Sequence, residues 1–64
     1  MDKNLAQELL NKLANRELNE VTVSKDSFLV FRDVIVKRED FKHFRGIAQH
    51  NGEVIYQYLD EPRS

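Results

Sequence analysis

An Asn-Gly pair, Asn51-Gly52, leaves this chain few choices of structure near its C-terminal end. This dipeptide favours a two-residue type I′ β-turn, in which both residues need a positive φ angle. The segments on either side, residues 44–50 and 53–59, contain the β-branched and aromatic residues that are typical of strands. The sequence therefore predicts a β-hairpin with this turn at its tip.

A two-residue turn also predicts which hairpin residues share a face. It pairs His50 with Glu53 beside the turn and Phe44 with Leu59 at the far end. One face is then mostly apolar, and we expect it to pack on the core: Phe44, Gly46, Ala48, Ile55, Gln57 and Leu59. The other face is amphipathic and supplies the candidate partner-binding residues: Arg45, Ile47, Val54, Tyr56 and Tyr58.

The N-terminal half of the chain changes from helical to strand-like and back to helical patterning. Residues 4–17 carry leucines at three- and four-residue spacing, which predicts an amphipathic helix. Residues 20–24 are β-branched and predict a short strand, and residues 25–37 predict a second helix capped by Ser24. Residues 28–36 are so rich in β-branched and aromatic residues that one long strand stays an alternative. They are apolar almost all round, so we expect burial at the centre of the domain or partial cover by a partner.

These elements combine into an α+β domain over residues 1–59, followed by a flexible tail at 60–64. The order is helix, strand, helix and β-hairpin, with a turn or short helical turn before the hairpin. We expect a small three-stranded, mainly antiparallel sheet with both helices on one face. The candidate core residues are Leu5, Leu9, Leu13, Val21, Val23, Phe28, Phe31, Ile35, Phe44, Ala48, Ile55 and Leu59.

The composition and the spacing of the polar residues argue against most kinds of catalytic, cofactor and metal site. The chain of 64 residues has no cysteine, which excludes disulfides, thiol catalysis and cysteine-based metal sites. His43 and His50 have no third ligand at metal spacing, and the serines lack the pattern of a nucleophile. We therefore predict a protein that is not an enzyme and has no cofactor or metal. The absence of a leader or an apolar span predicts a cytoplasmic protein without a membrane segment.

Two functions stay open. The leading prediction is a binding or regulatory module that contacts a partner protein or a second copy of itself, because the chain has more apolar residues than one small core needs. The alternative is a nucleic-acid-binding regulator, in which the basic segment 32–50 contacts phosphates and the Tyr56 and Tyr58 face stacks on bases. The net charge of −1 makes it the second choice. Its candidate residues are Arg32, Lys37, Arg38, Lys42 and Arg45.

Overall fold

The computed structural model describes residues 1–62 and confirms the predicted α+β class and order of elements. It contains two α-helices, three strands and one 3-10 turn, Phe41–His43, which lies between the second helix and the second strand. In chain order, the helices and strands are α1 at Lys3–Ala14, β1 at Val21–Val23, α2 at Phe28–Val36, β2 at Phe44–Ala48 and β3 at Val54–Tyr58.

Helix α1 begins at Lys3 because the Asp2 carboxylate accepts a hydrogen bond of 2.8 Å from the Leu5 amide. Its buried stripe consists of Ala6, Leu10 and Leu13. Leu5 is 44% exposed, so its predicted place in the core is wrong. The helix ends before Arg16, whose φ of 66° is left-handed and incompatible with a further helical turn.

Helix α2 is the helix that was predicted, and the strand alternative is wrong. It starts at Phe28 because Ser24 forms a turn, in which its carbonyl accepts from the Ser27 amide at 3.0 Å. Ser24 is therefore not the helix cap. Of the two expectations for its apolar surface, burial at the centre of the domain is wrong, because Phe31 and Ile35 are buried but Leu29 is 71% exposed. Cover by a partner stays a prediction.

The sheet has the order β1-β3-β2 and is antiparallel throughout. Strand β3 is therefore central, and β1 and β2 are the two edges. Both helices cover the same sheet face, as predicted, because their buried side chains form one cluster with that face. This core consists of Ala6, Leu10, Leu13, Val21, Val23, Phe31, Ile35, Phe44 and Tyr56.

The hairpin differs from its prediction by one residue of register. Glu53 lies opposite Gln49 and not His50, because the Gln49 amide donates to the Glu53 carbonyl at 2.8 Å. Gly52 alone of the Asn-Gly pair has a positive φ, of 86°, so the turn is not type I′. The Asn51 side chain instead accepts from the Glu53 amide at 3.1 Å, which stabilises a longer loop at residues 50–52.

This shift moves every β3 side chain to the face opposite to the predicted one. Tyr56 pairs with Gly46 and enters the core, where Ile55 was expected. Ile55 and Gln57 lie on the helix-free face, so their predicted placement is wrong. Ala48 is on the helix-covered side of the sheet but is exposed, which contradicts its assignment to the core.

The C-terminal tail predicted at 60–64 is described only in part, since residues 63 and 64 lie outside the described residues. Asp60 forms a salt bridge with Arg16, and the Arg16 guanidinium also donates to the Tyr58 carbonyl at 2.8 Å. The beginning of the tail is thus in contact with the loop that follows α1. No helix within residues 1–62 is long and apolar enough to span a membrane.

Candidate functional site

The predicted partner-binding face is divided between the two sides of the sheet. Arg45 and Ile47 lie on the helix-free side, whereas Val54, Tyr56 and Tyr58 lie on the helix-covered side. Tyr56 is only 7% exposed, with its ring centroid 4.9 Å from that of Phe31. Its burial raises the pKa of its hydroxyl group. Grouping these five residues on one surface was therefore wrong, because it depended on the wrong register.

Tyr58 is the last residue of β3 and belongs to a cluster of ring and guanidinium groups at that end of the strand. Its ring stacks on His43 at 5.2 Å between centroids and meets the Phe44 ring edge-on at 5.0 Å. The Arg16 guanidinium lies 5.2 Å from the same ring. Because His43, Phe44 and Arg16 surround its ring, Tyr58 packs against its own chain and does not present a free stacking surface.

The basic residues of the nucleic-acid alternative do not converge on one surface. Arg38 donates to Asp40 and to Asn11, each at 2.8 Å, so its charge is already paired within the chain. Lys37 lines a cleft between the two helices, whereas Arg45 projects from the helix-free side of β2. Lys42 lies in the 3-10 turn, 5.9 Å from the Phe41 ring. This dispersal is unlike the continuous basic stripe that tracks a phosphate backbone.

The Arg38–Asp40 pair makes the stability of the domain depend on pH. The hydrogen bond from Arg38 holds the pKa of the Asp40 carboxyl below its ordinary value of 3.8. A lowered pKa in the folded state means that the unfolded chain binds protons first as the pH falls. The contribution of the pair is therefore complete above pH 3.8 and is lost as the pH falls through the folded-state pKa.

We expect Asp40→Asn to lower the free energy of unfolding by about 1 kcal/mol at neutral pH, because both groups of this pair are largely shielded from water. The difference from the wild type should shrink as the pH falls through the lowered folded-state pKa of Asp40, and should vanish once Asp40 is protonated in both states. Urea unfolding at several pH values measures it. Glu39→Gln, at the exposed neighbouring position, is the control. A difference that persists unchanged at low pH would contradict this assignment.

An apolar groove of about 460 Å³ runs between α2 and β2. Its floor is formed by the helix-covered face of the hairpin, where Gly46 and Ala48 expose the sheet because they have little or no side chain. A Cβ atom on Gly46 would lie 3.0 Å from Cε1 of Tyr56, so only glycine leaves this floor undisturbed. The remaining lining residues are Phe28, Arg32, Ile35, Val36, Phe41, Phe44, Val54 and Tyr56.

The edge of β2 borders this groove with unpaired backbone groups. The Leu59 amide donates to the His43 carbonyl and the Gln49 amide donates to the Glu53 carbonyl, one bond at each end of β2. These two bonds show which backbone amides and carbonyls of the strand point towards β3. Because antiparallel pairing alternates, the amides and carbonyls of Gly46 and Ala48 point away from the sheet. The Phe44 amide is already bonded to the Phe41 carbonyl. The open part of the edge is therefore Gly46–Ala48, where both terminal residues are exposed.

Exposed apolar side chains continue from the groove onto α2. Val36 is 52% exposed and Phe41 is 38% exposed, and both line the groove. Leu29 extends the apolar surface along the helix. Large apolar residues grouped in this way are typical of a surface that another molecule covers. We call the groove, together with the Gly46–Ala48 edge, the β2 docking edge.

The sequence prediction missed this site because it placed Gly46 and Ala48 on a sheet face that packs on the core. The signal was present, since two small residues alternate along β2. The distance between α2 and that strand cannot be read from the pattern. Within residues 1–62, no group of three or more His, Asp or Glu side chains could hold a metal.

A protein-family model described as YkzS-like protein matches residues 3–57. The chain belongs to the YkzS-like family. The match extends from the start of α1 to Gln57 in β3, so the whole β2 docking edge lies within the YkzS-like region. No curated protein and no solved structure matches the chain significantly.

Proposed function

We propose that this YkzS-like chain is a non-catalytic protein-binding module that adds a strand of a partner protein to its β2 docking edge. The observation that carries this proposal is the exposed Gly46–Ala48 backbone beside an apolar groove. Strand addition uses both features, because main-chain hydrogen bonds hold the incoming strand and its alternate side chains enter pockets.

The groove fits the side chains of such a strand. A strand next to β2 would direct every second side chain towards the helix-covered face of the sheet. Without a side chain on Gly46, these groups would reach the floor at Val54 and Tyr56. Phe41 and Val36 would cover them from the helix side. Docking would therefore bury apolar surface that the chain alone leaves in water.

The opposite edge of the sheet does not offer the same combination. Strand β1 contains three residues, and the side chains of Val21 and Val23 are already buried against the helices. Thr22, between them, faces the helix-free side. An incoming strand would find exposed backbone at β1, but the valines beside it are already packed into the core. This contrast makes β1 a natural internal control.

A second copy of this chain fits the β2 docking edge less well than a different protein. In a symmetric antiparallel pairing of two β2 strands centred on Arg45, the Arg45 side chains of the two copies would lie opposite each other. The two Arg32 side chains would also approach each other along the shared groove. These repulsions favour a separate partner, so we do not propose homodimerisation. The proposal includes a cytoplasmic location, since a cysteine-free chain fits a reducing compartment.

The proposal is tested with a probe peptide of about seven residues in which valine and threonine alternate. We expect the amide signals of Gly46 and Ala48 to shift in NMR titrations and their hydrogen exchange to slow. The variant Ala48→Pro should abolish binding, because it removes an outward amide and blocks the edge. It should preserve the fold, since this amide makes no bond to β3.

The matched control is Thr22→Pro, which removes the equivalent outward amide at the β1 edge. It should leave peptide binding unchanged. Circular dichroism must show that both variants are folded. Peptide shifts confined to other residues, or equal loss of binding in both folded variants, would contradict the proposal. So would a wild-type dimer in sedimentation that Ala48→Pro converts to a monomer, because a second copy would then occupy the edge.

A further inference from the structure

We infer that the strand received by the β2 docking edge is acidic, with carboxylates beside Arg45 on its outward side and one carboxylate beside Arg32 among the apolar side chains that face the groove. The inference rests on the proposed function and specifies the chemistry of its partner. Charge complementarity carries it, because both sides of the docked strand would meet a positive side chain.

On the groove side, the positive charge is Arg32. It is the single charged residue that lines this groove in the part of the chain that the structure describes. Its guanidinium forms no salt bridge with any residue between 1 and 62. The neighbouring Asp33 shares a second cleft with Arg32 but does not line this groove. A carboxylate from a docked strand would therefore meet Arg32 with no acidic residue among the described residues that line the groove.

That positive charge reaches the floor of the groove. The charge of Arg32 favours the ionised form of the Tyr56 hydroxyl and so opposes the rise in its pKa that burial causes. Arg32 and Tyr56 both line this groove. An anion bound near Arg32 would lie over the apolar floor, where its charge is less screened than in open water.

On the helix-free side, the positive charge is Arg45. It projects from β2 immediately before Gly46, the first residue of the open edge, on the opposite face to the groove. Side chains of an added strand that do not enter the groove would lie next to Arg45 and Ile47. A strand with acidic residues on its outward side, and one acidic residue among the apolar residues on its groove side, matches both faces at once.

Three peptides of about seven residues test this inference: alternating valine–glutamate with one further glutamate at a groove-facing position, and the same peptide with threonine or with lysine in place of every glutamate. We expect the glutamate peptide to bind about five- to tenfold more tightly than the threonine peptide at low salt, from two ion pairs. The lysine peptide should bind more weakly than either. The preference should decrease at about 150 mM salt. Fluorescence anisotropy of labelled peptides gives the affinities.

The double variant Arg32→Glu with Arg45→Glu should reverse the preference in favour of the lysine peptide. Lys12→Glu, on α1, is the control for altered net charge and should leave the order of the peptides unchanged. If the three peptides bind the β2 docking edge equally well, the inference is wrong but the proposed function stands. If none of them binds, both are wrong.

Discussion

Replacement of Phe31 by alanine is expected to leave a large fraction of the protein molecules unfolded at room temperature. Phe31 is fully buried and joins α2 to the central strand through the Tyr56 ring. Truncation of a buried phenylalanine costs about 3–5 kcal/mol, through lost apolar contacts and the cavity that remains. A single core in a chain of this length rarely supplies more than about 3–5 kcal/mol in total. The loss is therefore as large as the whole stability.

Leu29→Ala is the control, because it removes an apolar side chain from the same helix at a position that is 71% exposed. We expect its effect on the free energy of unfolding to be within about 0.5 kcal/mol. Urea unfolding followed by circular dichroism measures both variants. If Phe31→Ala costs no more than Leu29→Ala, Tyr56 and α2 are not packed together as described.

The second large effect is expected at the tip of the hairpin. Gly52 has a φ of 86°, a conformation that a β-branched side chain adopts only under strain. We expect Gly52→Val to lower the free energy of unfolding by about 2 kcal/mol, since left-handed backbone costs roughly 1–2 kcal/mol even for residues without β-branching. Urea unfolding measures this loss.

His50→Val places the same side chain in the same loop at a position without a positive φ. We expect it to change the stability by less than about 0.5 kcal/mol. A third variant, Asn51→Val, tests the type of turn when it is compared with Gly52→Val. Asn51→Val should cost about 1 kcal/mol through loss of the side-chain bond to Glu53, whereas a type I′ turn would make it as damaging as Gly52→Val.

The secondary structure of this chain follows almost entirely from local patterns. Leucines at helical spacing predict α1, and the Asn-Gly pair between two β-rich segments predicts the hairpin. The α+β class and the three-stranded sheet follow from the order of these elements. Local signals succeed here because a helix or a strand must place its apolar residues on one side wherever it packs.

The candidate site, in contrast, depends on two properties that only the tertiary structure decides. The first is the hairpin register, which the Asn51 side chain sets by bonding to Glu53 and closing a loop that is one residue longer than the predicted turn. That single residue moves Tyr56 into the core and Ile55 out of it, because neighbouring strand residues point to opposite faces.

The second property is the distance between α2 and β2. The sequence itself determines that Gly46 and Ala48 are small and that α2 carries apolar residues on more than one side. Whether a helix packs closely on such residues or leaves a groove depends on where the larger side chains hold it. Phe31 meets Tyr56 of the central strand, so α2 packs there and leaves the edge beside β2 open.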